Sequence, residues 1–405
     1  MKHLFNLGLR NLLRNRIRTA ITLGAIVFGV CGLIVSGGFV RDIFIQLAEA
    51  LIHSQSGHAQ VGREEIFGAG SRSPERYLLK APELLRKQLL ADPDVKDVMA
   101  RITFSGLLNN GKTDYAIIAE GVEPDRELAL GTHLRVLAGR MLKDSDRFGA
   151  MLGEGVAAAM HLAPGDQATL VVSTLDGATN TLDIEVVGVF QSFSKDYDAR
   201  SVRISLGAAQ DLLLTKGVGK LVISLHSTDA TDAFINRMKP QLAGDLRIFD
   251  WRILNDFYQK TVDIYQQQFG FLQAMVMLMV CLSVINTLNM SLLERGWEFG
   301  TMRALGNRSR TIVSLIVVES LVLGVVGATL GVVLGVLLAL LISGVGIPMP
   351  PPPNAEIGYD AYIRIVPLVL LQSWVVGILA TLLASLYPAF RSSRVPIIDA
   401  LRSRA

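Results

Sequence analysis

Cysteine is almost absent. Two occur in 405 residues, Cys31 and Cys281, each inside an uncharged apolar run, so the pattern offers neither a disulfide framework nor a metal-thiolate site. Charge is also scarce. Asp, Glu, Lys and Arg make up 19% of the chain, against roughly 25% in soluble domains. With half of the residues apolar, the whole chain cannot face water, and part of it must face lipid.

Signatures of catalysis are missing too. His3, His53, His58, His133, His161 and His226 form no HxxxH or HExxH pair, and His53 and His58, five apart, read as surface polar groups rather than metal ligands. There is no GxSxG elbow. Gly217-Val218-Gly219-Lys220-Leu221 lacks both the spacing of a phosphate-binding P-loop and its hydroxyl after Lys. We expect a non-catalytic chain, with no metal, no cofactor of its own and no nucleotide hydrolysis.

What the sequence does have is four long runs free of Asp, Glu, Lys, Arg and His: 19–40, 264–293, 320–355 and 365–390. About 20 apolar residues span a bilayer, so four transmembrane helices are expected, one plus three. The first run is too long for a secretory signal and reads as an uncleaved anchor.

Splitting the net charge of +3 gives the topology. Residues 41–268 carry 25 basic and 30 acidic side chains, whereas the remainder carries 14 and 6. Lys2, Arg10, Arg14, Arg16 and Arg18 precede the first run, and further arginines follow the second and fourth. By the positive-inside rule both termini and the 294–310 loop are cytoplasmic, and the 228 residues of 41–268 lie outside. The acidic balance of that exported region argues against nucleic acid as a partner.

The expected layout follows in order. Residues 1–18 form a cytoplasmic amphipathic helix with Phe5, Leu9, Leu12 and Leu13 on one face, or else a plain topology signal. Residues 19–54 are the first membrane helix and a stalk, 55–252 an α/β periplasmic domain, and 253–293 a second stalk and membrane helix. Strands are expected at 116–119, 168–173, 182–190 and 220–225, and helices at 82–90, 207–214 and 230–242. Turns are expected at Pro164-Gly165-Asp166 and Asp176-Gly177. A cytoplasmic segment at 294–310 leads to a third membrane helix at 311–345. A Pro-rich external loop at 346–364, either spacer or contact surface, leads to a fourth at 365–390 and a tail at 391–405.

Several side chains stand out. Glu319 lies about 12 Å along a helix starting at Thr311, and an ionised carboxylate there needs a partner; a tether to a nearby arginine is the first reading, a coupling role the second. Ser283, Asn286, Thr287 and Asn289 form a polar patch expected to bond to a neighbouring helix. Gly324, Gly327, Gly331 and Gly335 are spaced for close helix packing. Met275 and Met279 share one helix face and either meet an apolar substrate or fill a core, and Phe28 is a further candidate to meet the substrate.

The most specific stretch is Glu294-Arg295-Gly296-Trp297-Glu298-Phe299-Gly300-Thr301-Met302-Arg303-Ala304-Leu305-Gly306. Its ordered acids and arginines read as a docking helix for a cytoplasmic partner. Together with 11–19 (Asn-Leu-Leu-Arg-Asn-Arg-Ile-Arg-Thr), Tyr387-Pro388-Ala389-Phe390-Arg391 and Asp399-Ala400-Leu401-Arg402, this stretch resembles the FtsX/MacB-like family of ABC-transporter permeases over essentially the whole chain. Ser56-Gly57-His58-Ala59-Gln60-Val61 is similar to the lipoprotein-releasing, Lol C/E-like members.

The resemblance implies a bacterial inner-membrane protein working by mechanotransmission. It implies a second permease, identical or paralogous, and two copies of a separate ABC ATPase that bind ATP and Mg. Glu294, Arg295, Glu298, Phe299, Thr301, Arg303, Leu305 and Gly306 would form the coupling helix. A lipid or lipoprotein would be the substrate, with a periplasmic adaptor or chaperone as a further partner. The alternatives are a MacB-like tripartite efflux permease and an FtsX-like signal relay.

Overall fold

The computed structural model describes residues 16–67, 77–79, 82–130, 134–174, 176–242, 244–351 and 358–393. The expected amphipathic helix before residue 16, the Asp399-Ala400-Leu401-Arg402 motif and the last prolines of the loop lie outside them. The chain falls into two compact units. One contains Met1–Phe44, Val262–Pro348 and Asp360–Ala405; the other contains Ile45–Thr261 and Met349–Tyr359.

Helix α1 (Arg16–Leu51) opens the described chain without a break, as the apolar spacing through Leu47 and Leu51 requires. It widens into one π-turn, Ile52–Ser56, closed by Gly57 N–H on the Ile52 carbonyl at 2.9 Å.

The second unit is α/β. Its strands are β1 (Ala59–Arg63), β2 (Val95–Asn109), β3 (Asp114–Val122), β4 (Arg135–Gly139), β5 (Gly149–Gly153), β6 (Gln167–Ser173), β7 (Thr179–Gln191), β8 (Ser201–Ser205), β9 (Lys220–Leu225) and β10 (Leu246–Asp250). Between them lie helices α2 (Pro82–Leu90), α3 (Pro124–Leu130), α4 (Glu154–Met160), α5 (Lys195–Asp198), α6 (Leu206–Leu213) and α7 (Thr231–Met238), with α8 (Trp251–Leu254) after β10. The strand order is β10-β1-β9-β2-β3-β8-β5-β7-β4, with β6 joined to β2 and β7.

One strand holds the unit together. The first half of β2 pairs with β9 and the second half with β3 and β6, so it contributes to two cores. On one side Val61, Val98, Leu221 and Ile223 pack with Leu89 of α2 and Phe234 of α7. On the other, Phe104, Leu108, Leu170, Val186 and Val202 pack with Val156 of α4 and Leu212 of α6. Gly121 allows that closure, because a Cβ there would collide with Ala209 of α6. Fully burying one such aliphatic side chain is worth about 1.5–3 kcal/mol, so the unit holds without disulfides.

The expected strands and helices are present, within one to four residues at most ends, and Asp166 Oδ2 closes the 164–166 turn on Ala163 N–H at 2.8 Å. Strands β1, β2, β4, β5, β8 and β10 were not expected.

The first unit contains α9 (Asp256–Glu294) from Val262 on, α10 (Gly296–Ala304), α11 (Ser309–Val345) and α12 (Pro367–Ser393). With α1, the long ones make four helices apolar enough to cross a membrane among the described residues. An unbroken helix from 253 was expected, but Asn255 breaks it. Its backbone leaves the helical region, at φ −123° and ψ 77°, and its side-chain amide donates to the Trp251 carbonyl at 2.6 Å.

Inside the first unit, Ile26, Val30 and Ile34 of α1 pack with Val280, Val284 and Leu288 of α9, Ala328 of α11, and Ala380 and Ala384 of α12.

Candidate functional site

The 294–310 segment forms less helix than its length allows. Glu294 ends α9, Arg295 caps α10, and α10 stops at Ala304. Leu305, Gly306 and Asn307 then end it by returning hydrogen bonds: Gly306 N–H to the Arg303 carbonyl at 3.0 Å and Asn307 N–H to the Met302 carbonyl at 3.1 Å. Gly306 takes φ +91°, a left-handed conformation that favours glycine.

Arg295 is the centre of this segment. Its Nη1 lies 3.0 Å from Glu319 Oε2 on α11, and its Nε donates to Glu298 Oε2 at 3.1 Å. The guanidinium also sits 5.3 Å from the centre of the Phe299 ring. Arg295 and Glu319 are both buried, so each neutralises a charge that would otherwise be costly. Phe299 packs with Leu292, Ile312, Leu315, Ile316 and Ala389. Thr301 donates back to the Trp297 carbonyl at 2.9 Å, while Leu305 is 79% exposed.

From Glu319 the same helix reaches α1. A Cβ on Gly327, Gly331 or Gly335 would come within about 3 Å of Ile26, Val30 or Ile34. A Cβ on Gly324 would collide with Thr381 of α12. The glycine stripe is thus an interhelical seat, used at each of its four positions.

One intramembrane expectation needs correction. Asn286 is exposed, and among the described residues neither it nor Asn289 hydrogen-bonds to another helix; Thr287 bonds back to the Ser283 carbonyl of its own turn at 2.9 Å. Phe28, Met275 and Met279 are exposed, at 72%, 54% and 42%, so the two methionines do not fill the core of this chain.

Sequence reasoning passed over Asp42. It is fully buried and accepts from Tyr362 N–H and Arg364 Nε, both at 2.8 Å, joining α1 to the segment that leads into α12.

A second polar centre lies in the α/β unit. Arg101 on β2 makes a two-point pair with Glu127 of α3, at 2.6 and 2.7 Å, and donates to the Gln55 carbonyl at 2.5 Å. Arg203 on β8 donates to the Ser54 carbonyl at 3.2 Å and to the Tyr197 hydroxyl, which in turn donates to Glu120 at 2.6 Å. Two arginines of the sheet therefore hold carbonyls of the π-turn, which leaves backbone acceptors unsatisfied within its own helix. Burial would push the Glu120 carboxyl up, but Arg101, Lys220 and Arg203 bring it down to about 2. Burial, with the Glu154 carboxylate adding to it, raises Asp198 to about 6 despite its bond from Ser192 N–H.

His58 is no surface group. It is 1% exposed, and its Nδ1 accepts from Leu225 N–H at 3.1 Å. Burial, with His53 beside it, lowers it to about 4.

Comparison with known proteins follows these two units. Residues 19–241 match the MacB-like periplasmic core domain, and residues 270–397 match the FtsX-like permease C-terminal domain. An uncharacterised ABC transporter permease of Methanocaldococcus jannaschii is 23% identical over 97% of this chain and 96% of its own. The lipoprotein-releasing system transmembrane protein LolE of Haemophilus influenzae is 23% identical over 95% of this chain and 92% of its own. Among solved structures, the periplasmic region of MacB from Actinobacillus actinomycetemcomitans aligns with 52% of this chain and 95% of its own at 16% identity, with a TM-score of 0.36.

Proposed function

Because the chain belongs to the family of ABC transporter permeases with a MacB-like periplasmic core and an FtsX-like C-terminal domain, we propose that it moves a lipoprotein or similar lipid-anchored substrate out of the outer leaflet of the bacterial inner membrane. Both termini and α10 face the cytoplasm in this reading, and a paired permease and two separate ATPase subunits complete the machine. Likeness to LolE over nearly the whole of both chains carries the substrate class.

The mechanism uses the contacts above. Closure of the ATPases on ATP displaces α10. The Arg295–Glu319 pair passes the displacement to α11, and the glycine seat passes it to α1, which continues unbroken to Leu51. Each step joins packed groups with few soft contacts between them. The exposed face carrying Phe271, Met275 and Met279, with Phe28 on α1, receives the acyl chains.

Photo-crosslinking tests the substrate class. A photoreactive residue at Met275 or Phe28 should capture lipoprotein in cells, and a control at Leu340 should not. Capture of phospholipid alone at all three positions would remove the lipoprotein reading. Stimulation of a soluble hydrolase without any release would favour the signal relay instead.

A further inference from the structure

Six residues of α9 stand at alternating spacings of four and three: Met275, Met279, Leu282, Asn286, Asn289 and Leu293. That is the spacing of a coiled-coil seam, which keeps one helix face against a partner helix along its length. The other side of α9 is already taken, since Val280, Val284 and Leu288 pack with α1, α11 and α12. The seam is open: Met275, Met279, Leu282, Asn286 and Leu293 are exposed, and Asn289 is half-buried.

Exposure alone would suit lipid, but two of the six side chains are carboxamides. Asn286 stands eight residues before Glu294, the nearest charge along the helix, and so about 12 Å from it. It lies inside a run that no charge interrupts from 264 to 293. Among the described residues neither Asn286 nor Asn289 hydrogen-bonds to another helix. Hydrocarbon offers no donor or acceptor, so an amide left facing it is unfavourable.

A carboxamide both donates and accepts, so another carboxamide answers it fully. A two-fold axis along the membrane normal sets a residue beside the axis opposite its own copy. We propose that the 282–293 part of this stripe is the surface on which a second copy of this chain packs, α9 parallel to α9, with the two Asn286 amides hydrogen-bonded to each other. Amides at seam positions also fix the register and the number of helices, which apolar residues alone leave loose. Met275 and Met279, toward the other end of the stripe, remain with the substrate reading. The inference rests on the permease pairing proposed above and deepens it: the partner is an identical chain, joined at this surface.

The test uses the full-length protein with Cys31→Ala and Cys281→Ala, co-expressed as two differently tagged copies in one membrane. Each carries Leu282→Cys, Leu293→Cys or, as control, Leu341→Cys at an exposed position of α11. Oxidation with copper phenanthroline should join the two tags at 282 and at 293 at least fivefold more than at 341. Adding Asn286→Val should cut those yields at least fivefold, and Asn286→Gln should hold them within twofold. The mass of the unoxidised protein in nanodiscs is measured alongside. A single-chain mass would overturn the pairing itself and this surface with it. A two-chain particle that never carries both tags would overturn the identical partner. A two-copy particle without excess crosslinking at 282 and 293, or with crosslinking unmoved by Asn286→Val, would overturn this surface while leaving the pairing intact.

Discussion

Arg295 and Glu319 meet at 3.0 Å across the boundary between the short helix α10 and the long apolar helix α11, each buried and each supplying the other's counter-charge. Arg295 supplies the counter-charge that an ionised carboxylate in an apolar helix needs. Arg295 in turn fixes how α10 is set, through Glu298 and the Phe299 ring.

Removing one partner leaves a buried charge uncompensated. For Glu319→Ala we expect a loss of about 3–5 kcal/mol if the site stays dry, read as a lower midpoint of thermal unfolding in detergent. The exchanged pair Arg295→Glu with Glu319→Arg should recover part of it. A midpoint unchanged in the single variant would show that the pair contributes nothing to stability.

Glu298 is partly exposed and bonds to Arg295. Reversing its charge in Glu298→Lys should repel Arg295 and disturb the surface offered to the ATPase. We expect co-purification of the ATPase to fall several-fold while the permease still inserts. Full retention of ATPase binding and activity would sink the docking assignment.

The glycine seat separates packing from mere helix propensity. In Gly331→Leu the side chain would have to displace Val30, whose Cβ already lies 2.7 Å from where a Cβ would stand. Overpacking of this kind costs about 1–3 kcal/mol. Gly344→Ala, where nothing lies within 4 Å, should leave the unfolding midpoint unchanged or slightly raised; equal effects of the two would remove the seat.

His58 gives a pH dependence of known sign. Its folded-state value of about 4 lies below the ordinary 6.5, so the unfolded chain takes up the proton first. The stability it contributes is complete above about pH 6.5 and is lost as pH falls toward 4, by about 3 kcal/mol in all. Protonating Nδ1 would also break the bond from Leu225 N–H. In His58→Asn that part of the slope in unfolding free energy between pH 6.5 and 4 should disappear; an unchanged slope would assign it to other groups.

Much of the membrane unit was legible because its signals are local. Uncharged runs, glycines at spacing four and one carboxylate in an apolar helix each imply a partner, and Glu319 found its arginine 24 residues away. The centre in the α/β unit was not legible. Arg101, Glu120, Glu127, Tyr197, Arg203 and Lys220 come from separate elements, and only the sheet order brings them together. Strand β2 was missed because its two halves serve different cores, which blurs the alternation. The break at Asn255 depends on one side-chain bond that competes with the helix, something apolar spacing does not report.

Transmission through Arg295 and Glu319 is tested most directly in proteoliposomes holding the permease and its cognate ATPase, with ATP hydrolysis and release of a lipoprotein followed together. For Glu319→Gln, which keeps the shape and removes the charge, we expect hydrolysis within about twofold of wild type and release reduced at least tenfold, roughly 1.4 kcal/mol of lost coupling or more. Release that stays in its wild-type proportion to hydrolysis would contradict transmission through this pair.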